Sequence, residues 1–213
     1  MQKIYFLSGL GADKRVFSFL DLSFCEPVYI DWITPEKNES LENYALRLRQ
    51  LIPEQKPTIV GISFGGMLAA EMAKADPNIK AILLASSKTA EEFPSYLRAA
   101  KYFPFYNWLP DKLLKRSAYF VKFASGRNDK AQKQVILDII RDTDMQFVKW
   151  AINAMLDWKN KEVPQNVIHI HGTADKVLPY SKVKADHTIK GGSHVLPMDQ
   201  YEEVSALLKK LLQ

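Results

Sequence analysis

The chain predicts an α/β fold, a mostly parallel six-stranded sheet with helices on both faces, on three observations. Short apolar, β-branched runs alternate with helix-like segments, near residues 3–8, 27–32, 57–62, 79–86, 166–171 and 186–190. Strands separated by helices pair in parallel and are covered on both faces. One strand-to-helix junction carries the pentapeptide Gly61-Ile62-Ser63-Phe64-Gly65. Two later strands lead into loops that hold Asp175 and His194, at the edge where parallel sheets concentrate their chemistry.

Each element has its own warrant. Lys3-Ile4-Tyr5-Phe6-Leu7 is a short apolar strand, and Pro27 to Trp32, with Val28-Tyr29-Ile30, forms a second at a sheet edge. Ser40 caps a helix whose apolar stripe is Leu41, Tyr44, Ala45, Leu48, Leu51 and Ile52. Pro57-Thr58-Ile59-Val60 reads as a buried strand, and Met67 to Ala75 as a helix stopped by Asp76-Pro77. Ala81 to Ala85, Val167 to His171 and His187-Thr188-Ile189 complete the strands. The last helix sets Val204, Leu207, Leu208, Leu211 and Leu212 on one face, with Asp199 and Glu202 in capping-box spacing.

Ser63 sits on the sharp turn between strand and helix. That placement lifts its hydroxyl above the sheet, the glycines leave room around it, and the helix N-terminus favours developing negative charge. The bland alternative is a glycine-rich turn with an incidental serine. A nucleophilic serine needs a base, and the base an orienting acid. Of four histidines, His169 and His171 share one face of a strand and read as packing residues, as does His187 at the start of another. His194 lies in the loop Gly191-Gly192-Ser193-His194 and is the candidate base. Asp175 follows the strand Val167 to His171 and is the candidate acid, although a turn aspartate is an ordinary role too. Asp186 begins a strand at the opposite edge, and Asp157 lies in a helical stretch.

In the order Ser63, Asp175, His194, the chain resembles the α/β-hydrolase superfamily from about residue 3 to its end. The resemblance rests on the pentapeptide, on His171-Gly172-Thr173-Ala174-Asp175, on Gly192-Ser193-His194 and on Ser8-Gly9-Leu10-Gly11. Where the family usually has His-Gly-x-Gly, this chain has Ser8 for the histidine. The resemblance implies an oxyanion hole made by the backbone amides of Leu10 and Phe64. It also implies a helical cap at 88–160, inserted in a single domain of 1–213. Residues 88–160 hold 13 of the 24 aromatic residues, so a largely apolar roof is expected, built from some of these rings, with Phe103, Phe105 and Trp108 in the substrate pocket. The bland alternative is that most of the rings, Phe93, Phe147 and Trp150 among them, pack the cap against the sheet. Pro104 and Pro110 rule out one regular helix between them and mark a pocket-lining or mobile segment. Because the first strand already carries the oxyanion loop, the two strands that often precede it are expected to be missing.

Composition narrows the rest. Cys25 is the only cysteine, which permits no internal disulfide and suits a reducing, cytoplasmic setting. No run approaches the ~20 apolar residues of a membrane span, and no signal peptide is expected. No zinc spacing, dinucleotide fingerprint or P-loop is present, so neither metal nor cofactor is expected. The net charge of +5 resides in 88–160, with 13 Lys plus Arg against 8 Asp plus Glu. That balance either favours an anionic small-molecule substrate or makes a solvated basic face. The basic residues are dispersed, so nucleic acid is not an expected partner. Oligomeric state is not written in the pattern. The expected activity is a serine hydrolase cleaving a small ester or thioester with an apolar portion through an acyl-enzyme. A lyase or synthase using the triad for proton abstraction, or a catalytically silent small-molecule binder, are the alternatives.

Overall fold

A computed structural model describes residues 1–94, 97, 100–102, 108, 110, 111, 113 and 129–213. Strict alternation along the first strand, β1 (Lys3–Leu7), sends Tyr5 and Leu7 to one core and Ile4 and Phe6 to another. The same division repeats in β3 (Thr58–Ile62) and β4 (Lys80–Leu84), where Ile59, Ala81 and Leu83 oppose Val60, Ile82 and Leu84. A sheet buried on both faces is the result. With β2 (Glu26–Tyr29), β5 (Val167–Gly172) and β6 (His187–Ile189), it has six strands in the order β2-β1-β3-β4-β5-β6, and every pairing is parallel. The second strand lies at one edge, as its sequence predicts, and β6 at the other.

The helices follow from their stripes. In α1 (Leu41–Arg49) the Ser40 hydroxyl accepts the Asn43 amide at 3.2 Å, and Leu41, Tyr44, Ala45 and Leu48 are buried. Leu51 is 52% exposed, contrary to the expected stripe, because the helix ends before it. α2 (Phe64–Ala75) stops at Asp76 ahead of Pro77 and is buried along most of its length. Between β4 and β5 the described residues include α3 (Lys130–Asp142) and α4 (Met145–Asp157). Phe147, Ala151 and Ala154 of α4 join the core on the α1–α2 face, whereas Ile136, Ile139 and Ile140 of α3 join the other.

The C-terminal end departs from the expected capping box. A short helix, α5 (Leu196–Asp199), precedes α6 (Tyr201–Leu212), whose N-cap is Gln200 without a side-chain cap. Asp199 belongs to α5 and its Oδ2 accepts the Ser193 amide at 2.8 Å instead, so the carboxylate steadies the loop that holds His194. Val204 and Leu208 of α6 are buried, with Leu207, Leu211 and Leu212 packed at the margin.

Candidate active site

The five parallel pairings place the carboxyl ends of all six strands along one edge, and the loops after β1, β3, β5 and β6 meet there. Ser63 follows β3. Its backbone amide extends the ladder to the Leu84 carbonyl at 2.9 Å, and its φ of 51° is a conformation that a side-chain-bearing residue rarely adopts. Two close approaches explain the flanking glycines. A Cβ on Gly61 would meet the Gly65 carbonyl oxygen at 2.3 Å, and one on Gly65 would meet the Ser8 carbonyl oxygen at 2.2 Å. Helix α2 can therefore press onto the sheet and the first loop only where side chains are absent. The Ser86 hydroxyl, just past β4, donates to the Ser63 carbonyl at 2.6 Å and pins the turn from below.

A continuous line of hydrogen bonds leaves this serine. Its Oγ lies 2.8 Å from His194 Nε2, and His194 Nδ1 lies 2.8 Å from Asp175 Oδ2. The other oxygen of Asp175 accepts the amides of Val177 and Leu178, at 2.8 and 2.9 Å. Burial pushes the Asp175 carboxyl up, but hydrogen bonding and charge at His194, the Leu178 amide and nearby His171 outweigh it and hold the group below the usual carboxylate range. Such a carboxylate orients His194 with Nδ1 protonated, leaving Nε2 to accept the serine proton.

The loop after β1 closes over the serine. Gly9 approaches so nearly that a Cβ there would lie 3.5 Å from Ser63 Cβ. The turn Gly9–Ala12 is closed by the Ala12 amide donating to the Gly9 carbonyl at 3.0 Å. Ser8, which replaces the histidine usual in the resembled family, donates its hydroxyl to the Ala12 carbonyl at 2.9 Å, and the Trp32 indole donates to the same oxygen at 3.0 Å. Leu10 belongs to this braced turn, and Phe64 opens α2, where first-turn amides lack intrahelical partners.

A cavity of about 430 Å³ opens beside Ser63 and His194. Among the described residues its wall is largely aliphatic: Ile136, Ile139 and Ile140 come from α3, and Val148, Ile152 and Met155 from α4. The described wall is apolar, and Phe147 and Trp150 follow the alternative of packing against the core. Both point into a cluster with Trp32, Tyr44 and Phe64, with Tyr44 and Trp150 centroids 4.5 Å apart, so these rings buttress the turn behind Ser63. Phe93 does line the cavity. Trp108 is 78% exposed and is not in the described wall, and Phe103 and Phe105 lie outside the described residues, as does most of the segment between Pro104 and Pro110.

The competing carboxylates are elsewhere. Asp157 ends α4 and pairs with Lys101 at 2.7 Å, and Asp186 precedes β6, where it accepts the His169 amide at 2.8 Å. Among the described residues no cluster of three or more His, Cys, Asp or Glu could hold a metal ion. Cys25 is buried far from this edge, its thiol pushed up by burial. Three contributors escaped the sequence reading: Ser86, Trp32 and His171. Only His171 left a usable signal, since it stands four residues before Asp175.

A doubly covered parallel sheet with a serine on a strained strand-to-helix turn, facing a histidine and an aspartate, defines an α/β-hydrolase. A family model described as the alpha/beta hydrolase family matches residues 4–207, and the chain belongs to that family. Solved structures share the fold at low identity. An esterase from Thermogutta terrifontis matches with TM-score 0.73 at 16% identity, covering 100% of this chain and 89% of its own. An esterase from Exiguobacterium antarcticum matches with TM-score 0.74 at 15% identity, covering 100% and 92%. The epoxide hydrolase of Bacillus megaterium matches with TM-score 0.75 at 13% identity, covering 100% and 93%. No curated protein matches the chain in sequence. Among the described residues no helix is long and apolar enough to cross a membrane.

Proposed function

We propose that this protein is a serine hydrolase that cleaves a small ester or thioester, holding an uncharged apolar acyl portion beside Ser63. The carrying observation is the line Ser63 Oγ–His194 Nε2, His194 Nδ1–Asp175 Oδ2, each link 2.8 Å, at the mouth of an aliphatic cavity. His194 takes the serine proton as Oγ attacks the substrate carbonyl, and Asp175 stabilises the imidazolium that forms. The amides of Leu10 and Phe64 receive the oxyanion, each such donor being worth about 3–4 kcal/mol in the transition state. Collapse returns the proton to the departing alcohol or thiol and leaves an acyl-enzyme. His194 then activates water to release the acid. The insertion at 88–160, which contributes α3 and α4 to the cavity wall, acts as the cap.

The relatives in fold named as esterases support the reaction class, and the wall supports the apolar substrate, since its described residues include neither lysine nor arginine. The test is intact-mass labelling with a fluorophosphonate, followed by hydrolysis of p-nitrophenyl esters of increasing acyl length. One adduct per chain, on Ser63 and absent from His194→Ala, is expected. Ester turnover that survives Ser63→Ala unchanged would refute the reading.

A further inference from the structure

Two histidines that read as packing residues in the sequence stand behind the carboxylate that His194 reaches. Both lie on β5, on the face turned toward α2, and both are fully buried. His171 Nε2 is 2.8 Å from the Leu178 carbonyl and 3.4 Å from Asp175 Oδ2, the oxygen that His194 also reaches. Both partners only accept, so this nitrogen carries a proton. Neutral His171 then has a bare Nδ1, which faces His169 Nε2 at 3.1 Å, so the second ring is also protonated at Nε2. His169 Nδ1 is left as a lone pair that makes no hydrogen bond of good geometry, the Ser86 backbone beside the ring included, and this costs less than the stranded N–H of the opposite tautomer. Burial, foremost, lowers both rings below the ordinary imidazole value and keeps them uncharged.

Resting on the reading of Ser63, His194 and Asp175 above, we infer that His171, backed by His169, is a positioning residue that fixes the Asp175 carboxylate and limits how strongly it stabilises protonated His194. Three donors meet on Asp175, two backbone amides on Oδ1 and His194 Nδ1–H on Oδ2, and the His171 Nε2–H, bonded to the Leu178 carbonyl, stands 3.4 Å from that second oxygen. The positive end of that N–H lies against the same oxygen and so opposes part of the attraction the carboxylate exerts on a cationic imidazole. The same Nε2–H also anchors the Leu178 carbonyl, fixing the turn whose amides grip Oδ1. Other charged or titratable groups facing this network are Glu92 near His171, Lys88 near His169, Asp199 near Asp175, and Asp186 at the His169 amide. Tyr180 packs its ring 6.4 Å from that of His171.

The experiment measures the rate of fluorophosphonate labelling of Ser63 against pH in the wild type, His171→Phe and His171→Gln. Glutamine can return an N–H near the Nε2 position, whereas phenylalanine fills the space without one. His171→Phe is expected to move the acid limb upward by about one pH unit and to slow the plateau about tenfold. His171→Gln is expected to bring the limb back toward wild type. A labelled wild type with an unmoved limb in His171→Phe, or glutamine no better than phenylalanine, overturns the positioning role alone. A folded wild type with no adduct overturns the nucleophile reading, and the positioning role with it. Nitrogen-15 NMR of histidine in the unsubstituted protein supplies a readout independent of folding in the variants. Both buried rings should be neutral Nε2–H tautomers at pH 7, and a charged or Nδ1–H His171 overturns the inference.

Discussion

Ser63 illustrates how one residue can hold strain for position. Its φ of 51° is imposed by β3 on one side and α2 on the other, with Ser86 fastening its carbonyl. A residue with a Cβ held there is worse off than glycine by about 1 kcal/mol. Ser63→Gly should therefore exceed Ser63→Ala in stability by about that amount in urea titrations, while both lose about 10⁴-fold or more in ester turnover. Equal stability of the two variants would show that the turn carries no such strain.

The helices of the insertion act through what they touch. Gln132 is buried on α3 and bonded at both ends of its amide. Its oxygen accepts the Asp129 amide at 2.9 Å in a reciprocal capping box, and its Nε2 donates to the Met198 carbonyl at 2.7 Å in α5. Gln132→Ala should cost about 1–3 kcal/mol, because a buried carbonyl is left unpaired, and should slow Ser63 labelling by loosening α5 next to the His194 loop. Chemical denaturation and labelling rates report the two effects separately. Helix α4 offers a different test, since Ile152 forms part of the cavity wall. A buried methylene contributes about 0.8 kcal/mol, roughly fourfold in kcat/KM. Acyl-chain preference in the wild type should climb by about that factor per methylene until the cavity is full. Ile152→Phe should bring the plateau forward to shorter chains without lowering turnover of acetate esters.

Stability of the whole molecule should depend on pH through its buried imidazoles. His169 and His171 have lowered values in the fold, whereas an unfolded histidine titrates near about 6.5. As pH falls through that value the unfolded chain binds protons that the native state refuses, so stability declines toward acid. Each ring contributes up to about 1.4 kcal/mol per pH unit within the window between its folded and unfolded values. Asp175, held below its ordinary value, adds a loss of the same sign further into acid, whereas Asp199, raised by burial, works in the opposite direction. Urea midpoints should be lower at pH 5.5 than at pH 7.5, and His169→Phe should flatten the difference. An identical slope in that variant would mean that His169 is not the group being titrated.

Much of this was legible without coordinates because it is local. Alternating apolar residues, helix stripes, a stop at Asp76-Pro77 and a glycine-flanked serine each depend on neighbours within one element, and they appear where their pattern puts them except at Leu51, which the end of α1 leaves exposed. Ser63, Asp175 and His194 could be chosen because strand ends of a parallel sheet converge on one edge, whatever the side chains between. What only tertiary packing decided concerns residues brought together from distant segments. Asp199 has the spacing of a helix cap, yet a backbone amide of the preceding loop competes for its carboxylate and wins. Phe147 and Trp150 have the composition of a pocket roof, but Trp32 and Tyr44 offer them ring contacts on the inner side of α4, and the cavity wall, among the described residues, is mostly isoleucine, leucine, valine and methionine. His171 looks like a core residue because periodicity reports only which face a side chain takes. That a carboxylate waits on that face depends on how the chain turns after Gly172, which is a property of the folded loop and not of the strand.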